Sequence, residues 1–252
     1  MIPADLSALH LLLLFGAGIT AGFLNVMAGG GSALTLPALI FMGLDSAVAN
    51  GTNRLALIAQ NASAVGSFRH HKLHDFPASI RMAVFTLPGA IIGALVAVRV
   101  GDELFHRVLG VVIIFIVISL FVSPANKKRT VEGLAGSTWL YPALFAIGFY
   151  SGFIQAGVGF LLIAALYHLG KMNLVRVNMH KVFIIFFNMV PTLLVFALNG
   201  KVMWFYGLVL AAGNALGAWW GAHAAVRGGE KIIRISISIA LLLMVAKLFE
   251  LF

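Results

Sequence analysis

The chain has 252 residues, a net charge of +9 and a mean hydropathy of +1.03, with 61% hydrophobic and 10% charged residues, where soluble domains carry about 45–50% and about 25%. That leaves too little polar surface for a soluble domain and far too much apolar character for a disordered chain, and the absence of cysteine removes disulfide scaffolds, thiolate metal sites and cysteine nucleophiles. The basic residues are scattered between apolar runs instead of gathered on one face, which excludes a nucleic-acid partner and leaves a polytopic membrane protein whose surroundings are the lipid bilayer.

The runs do not alternate as barrel strands do, and backbone in lipid must satisfy its own hydrogen bonds, so each is read as helix. The N-terminus lacks a basic stretch and a cleavage site and does not read as a signal peptide. The first run predicts a helix over 6–27, followed beyond Gly29, Gly30 and Gly31 by a short one over 33–43. Segments over 46–68, 78–99 and 104–123 complete the first half, and 139–156, 160–169, 174–198, 203–226 and 231–249 make up the second. At about 1.5 Å per residue, 33–43 and 160–169 are too short for a core of about 30 Å. Each therefore pairs with the helix before it as a hairpin that returns to the side it came from.

With those hairpins the basic loops sort unevenly. Arg69, Lys72, Arg81, Lys127, Lys128, Arg129, Lys171, Arg176, Arg227, Lys231 and Arg234 fall on one side, and Arg99, Arg107, Lys201 and Lys247 on the other. The positive-inside rule puts the larger set in the cytoplasm and both termini outside it, in a cell (inner or plasma) membrane.

The halves resemble each other. Gly22-Phe23 matches Gly152-Phe153, Asn25 matches Gln155, and Ala28-Gly29-Gly30-Gly31 matches Ala156-Gly157-Val158-Gly159 across a two-residue gap. Further on, Arg54 matches Lys181, each followed seven residues later by an asparagine, Asn61 and Asn188, and Gly89 and Gly93 match Gly213 and Gly217. An odd number of crossings per half turns the second over. The expected fold is an all-α polytopic membrane protein with two inverted-topology repeats of about five helical segments each (1–126 and 127–252, one integral-membrane domain), including short Gly-broken hairpin helices.

The glycines free backbone N–H groups at the starts of the short helices. A helix N-terminus with unpaired donors suits an anion, and Ser32, Thr35, Asn25 and Gln155 add polar groups near the tips; close helix packing through small residues is the other reading. Arg54 and Lys181 fall about 10–12 Å into their helices, where charges mark a pathway, unless a misplaced helix start lets them snorkel. The spacing of seven puts Asn61 and Asn188 on the same faces. All eight acids, Asp5, Asp45, Asp75, Asp102, Glu103, Glu132, Glu230 and Glu250, fall in loops or at segment ends. Two intramembrane cations without a carboxylate predict a small anionic substrate and argue against a cation pump. His180 beside Lys181 has a side chain suited to proton coupling or to neutral packing. His70, His71 and His74 share a loop with Arg69, Lys72 and Asp75, a solvated basic loop or a metal cluster; the former is adopted, so no metal and no cofactor is expected. His10 and His223 give no signal. Trp139, Trp204, Trp219 and Trp220 fit interface belts and packing. No catalytic constellation is present, so an enzyme is not expected.

The runs AGFLNVMAGGGSALTLPAL (21–39) and ANGTNRLALIAQN (49–61) resemble the first half of the sulfite exporter TauE/SafE family of membrane permeases, and GFYSGFIQAGVGF (148–160) with VNMHKVFIIFFN (177–188) resembles its second repeat. The resemblance covers nearly the whole chain. It implies a multi-pass, inverted-repeat carrier of small anions such as sulfite, sulfoacetate and other organosulfonates or organic acids, generally in the export direction. It implies a site drawn from Gly29, Gly30, Gly31, Ser32, Asn50, Thr52, Asn53, Arg54, Gly157, Gly159, His180 and Lys181. Many relatives carry an acidic residue where Asn25 stands and an Asp where Ser151 stands, so this chain departs from the family there.

The expectation is thus a secondary transporter, an exporter working by alternating access around a midplane cationic site where the hairpin tips meet Arg54 and Lys181. An anion channel, or an uptake permease for a different small solute, is the alternative. Gly89/Gly93 and Gly213/Gly217 fit helix packing within one chain or across a homodimer.

Overall fold

A computed structural model describes residues 8–101, 103–105, 107–108 and 137–248. Most of the segment expected over 104–123, the basic triplet Lys127, Lys128 and Arg129, and the proposed boundary between 126 and 127 lie outside the described residues, as do Asp5, Asp102, Glu132 and Glu250. The described residues form helices and no strands: α1 (Ala8–Met27), α2 (Ser32–Phe41), α3 (Ser46–His70), α4 (Phe76–Ala97), α5 (Leu140–Phe153), α6 (Val158–His168), α7 (Leu174–Leu198) and α8 (Trp204–Leu248). By length and composition α1, α4 and α7 can each cross a membrane. The segments expected over 203–226 and 231–249 form one run with a break at Gly229 (φ 57°, ψ −156°).

Local chemistry starts two of these helices. The Asp75 carboxylate accepts from Ala78 N ahead of α4, which carries proline in its first turn, and the Asn173 side chain accepts from Arg176 N ahead of α7; each satisfies one of the N–H groups a helix start leaves free.

α1 lies along α8 and α4 along α5, while α3 and α7 pack on each other and on those two pairs. Both outer pairs close on glycine. A Cβ on Gly217 would lie 1.9 Å from the Ile19 carbonyl oxygen of α1, and one on Gly93 would lie 2.0 Å from that of Phe149 in α5. Gly213 and Gly89 meet the same partner helices one turn earlier, so both glycine pairs serve packing within the chain. α3 is buried on most of its faces; Ser63 Oγ and Ser67 Oγ donate to the carbonyls of Ala215 and Trp219 in α8.

Candidate functional site

The site grows from two interrupted helices. α1 stops at Met27, and the chain turns through Gly29 (φ 88°) before α2 begins. α5 stops at Phe153, and the chain turns through Gly157 (φ 73°) before α6 begins. The two turns touch: a Cβ on Gly29 would stand 2.4 Å from the carbonyl carbon of Gly159, and Gly30 lies under the Phe160 ring. No side chain fits at that crossing, and the left-handed φ of Gly29 and Gly157 independently favours glycine. Gly31 has the third role, letting the start of α2 fold against Ala21 and Asn25 of α1. Ser32 Oγ stitches the turns together, donating to Gln155 O at 3.1 Å and accepting from Gly157 N at 3.4 Å.

Beside this crossing is a cavity of about 10 Å³, the least that holds one water. Asn25, Ser32, Ser151, Gln155 and Gly159 form its polar side, and Leu57, Val158, Ile185 and Met189 its apolar side. Ser151 Oγ and Gln155 Oε1 are buried without a hydrogen-bond partner, although buried polar atoms are nearly always paired. The first residues of α2 and α6 are in the wall, so the positive ends of both helices converge on it. No carboxylate is among its lining residues.

Arg54 and Lys181 are both completely buried and stand one layer behind the cavity. Arg54 donates to the carbonyls of Ser151 and Gly152 at the end of α5, approaches Met189 Sδ at 3.8 Å, and has the Phe196 ring 4.4 Å away. Lys181 Nζ donates to the carbonyls of Asn25 (3.0 Å) and Val26 (2.8 Å) at the end of α1, and to Asn178 Oδ1 (2.8 Å). Each cation thus meets the negative end of the interrupted helix in the other half of the chain. An asparagine completes each terminus: Asn50 Nδ2 donates to Phe153 O at 2.8 Å, and Asn178 Nδ2 to Met27 O at 3.5 Å. Ser151 and Asn25, whose carbonyls the cations hold, are themselves cavity residues. Gln155 Nε2 donates to Asn50 O, and Tyr150 Oη donates to Ala156 O, closing the turn after α5.

Of the residues singled out in the sequence, the structure brings Asn25, Ser32, Gln155 and Gly159 to the cavity, and Gly29, Gly30, Gly31 and Gly157 to the crossing beside it. Arg54, Lys181 and Asn50 form the supporting layer. Others are engaged elsewhere. Thr52 Oγ1 accepts from Met203 N, fastening the loop before α8. Asn61 Nδ2 donates to Leu57 O of its own helix, Asn188 Nδ2 donates to Thr86 Oγ1 of α4, and His180 Nδ1 lies 2.8 Å from Ser79 Oγ. Asn53 is buried with neither amide atom paired, as is the Thr35 hydroxyl. Sequence reasoning missed Leu57, Val158, Ile185 and Met189, and took Ser151 only as a departure from relatives. Helical spacing held the signal for three of these residues: Leu57 lies one turn beyond Arg54, and Ile185 and Met189 one and two turns beyond Lys181.

Comparison with known proteins matches residues 14–248 to the family described as Sulfite exporter TauE/SafE. The chain is 31% identical over 246 residues to "Probable membrane transporter protein YfcA" of Escherichia coli (strain K12), covering 96% of this chain and 90% of that protein. It is 31% identical over 242 residues to "Probable membrane transporter protein ORF9" of Sinorhizobium sp (93% and 92% covered), and 26% identical over 252 residues to "Probable membrane transporter protein YunE" of Bacillus subtilis (strain 168) (90% and 92% covered). No solved structure matches the chain.

Proposed function

The chain belongs to the sulfite exporter TauE/SafE family of membrane transporters, and from that premise we propose that it is a secondary exporter of a small anion, such as sulfite, sulfoacetate or another organosulfonate or organic acid. The observation that carries the reading is the Ser151 hydroxyl, buried and unpartnered, facing a cavity on which the N-termini of α2 and α6 converge. An anion placed there accepts from Ser151 Oγ and lies in the positive field of both helix starts. Gln155 Oε1 is left to accept from water or from a substrate O–H. The apolar side fits a short carbon body. Arg54 and Lys181 add two buried positive charges behind the wall, and no carboxylate lies among the residues that contact them.

The exchange of partners between the halves, α1 on α8 and α4 on α5, with each cation capping the other half's interrupted helix, supports the inverted repeat of 1–126 and 127–252. A cavity of about 10 Å³ is smaller than any of these substrates, so a substrate is admitted by rocking of the halves. A closed cavity favours a carrier over an open channel. The charge asymmetry of the loops supports both termini outside the cytoplasm of a cell membrane.

Thermal stabilisation of the detergent-purified protein by sulfite, sulfate, sulfoacetate, taurine, acetate and oxalate tests the anion. A ligand of the folded state raises the midpoint with RT ln(1 + [L]/Kd). A hydrogen bond to a charged group is worth about 1.5–3 kcal/mol. Ser151→Ala is therefore expected to weaken the stabilising sulfonate about ten- to a hundredfold. A flat panel on folded protein overturns the anion reading.

A further inference from the structure

The basic loop after α3 has a role outside the cavity. α3 ends beside α8, where His71 Nε2 lies 2.8 Å from His223 Nδ1, a pairing that ties the end of α3 to the middle of α8. His70 stands next to His71 and against Trp219, with ring centroids 5.5 and 6.2 Å apart, and Trp219 lies across Gly66 of α3. Arg69, Lys72 and Arg227 are exposed around this pair, and Arg227, His71 and His70 are all within electrostatic reach of His223. The acid next in sequence, Asp75, is turned to the start of α4, where it accepts from Ala78 N.

The aromatics give the patch its depth. Trp219 and Trp220 are 40% and 55% exposed, and exposed tryptophans of membrane proteins are enriched at the lipid–water interface. One and two turns further, about 6 and 12 Å at 1.5 Å per residue, come His223 and Arg227, at the level of lipid headgroups. Arg69 and Lys72 flank His70 and His71 in the chain, and Arg227 lies one turn beyond His223, so three exposed cationic side chains border the imidazole pair.

We propose that the corner of α3 and α8 formed by Arg69, His71, Lys72, His223 and Arg227, with Trp219 beneath it, binds the phosphate headgroup of an anionic phospholipid.

The test uses the full chain in neutral detergent, with phosphatidylglycerol, phosphatidylcholine or inorganic phosphate added, read by melting midpoint and by native mass spectrometry of retained lipid. The variant is R69Q/K72N/R227Q; asparagine suits position 72, where φ is 57°, because it tolerates the left-handed region. An R81Q/R176Q variant controls for the loss of positive charge. Phosphatidylglycerol at about ten times its Kd is expected to raise the midpoint about 3–6 °C and to stay bound in the spectrometer. Both effects should vanish in the triple variant and survive in the control. An equal loss in the control, an equal shift from phosphatidylcholine, or no retained lipid overturns the site. A shift from inorganic phosphate alone reassigns the corner to a soluble anion and overturns the lipid.

Discussion

At the scale of single residues the molecule separates charge from contact. Arg54 and Lys181 are buried cations whose partners are helix-end carbonyls, and the uncharged Ser151, Gln155 and Asn25 reach the cavity. Two kinds of variant therefore behave differently. Arg54→Ala and Lys181→Ala strip the ends of α5 and α1 of charge-assisted hydrogen bonds worth about 1.5–3 kcal/mol each; each is expected to abolish transport and to lower the melting midpoint of protein that still inserts. Ser151→Ala removes a hydroxyl with no partner to lose, so the midpoint without ligand should stay where it is or rise while anion affinity falls. A parallel loss of stability in Ser151→Ala, or normal transport by either cation variant, contradicts this division. The sequence announced the cations by their depth and by the absence of acids, but not what they touch. The carbonyls that Arg54 holds are 97 and 98 positions away in the chain, and nothing local encodes that encounter.

At the scale of elements, the hairpin tips and the glycine-packed pairs define the architecture. Gly29→Ala meets both a left-handed φ and the backbone of Gly159, so it is expected to unseat the crossing and cost several degrees of midpoint together with transport. Gly16→Ala, with open space around its Cβ, should be silent in both assays; equal behaviour of the two variants removes the crossing from the account. Gly217→Leu and Gly93→Leu are each expected to prevent recovery of folded protein, because each drives a side chain into the facing helix. The elements themselves were legible from apolar runs and glycine breaks: α7 coincides with the predicted 174–198, and α2 and α6 are the short helices expected. The misses are physical. α5 ends at Phe153 and not at 156, because Asn50 and Arg54 take its last carbonyls. α6 begins at Val158 and not at 160, directly after the left-handed turn at Gly157. The cavity's apolar wall was not legible, since Leu57, Ile185 and Met189 look like any core positions until the helices are packed.

At the scale of the whole molecule, Arg54 caps the interrupted helix α5 and Lys181 the interrupted helix α1, each reaching across the chain, and the two hairpin turns border a small cavity. The chain's lack of cysteine makes its topology directly measurable. A single cysteine at His74 is expected to react with a membrane-impermeant maleimide only from the cytoplasmic side, and one at Lys201 only from outside; reaction of both from one side contradicts the assigned orientation. The central claim, a carrier that holds one anion in an enclosed site, is tested most directly by counterflow in proteoliposomes. Vesicles are loaded with an excess of the sulfonate that stabilises the purified protein, then diluted into a trace of the same labelled compound. The expected result is a transient accumulation of label above its equilibrium level, absent in Arg54→Ala vesicles. Label that only relaxes to equilibrium without an overshoot indicates an open channel and contradicts the claim.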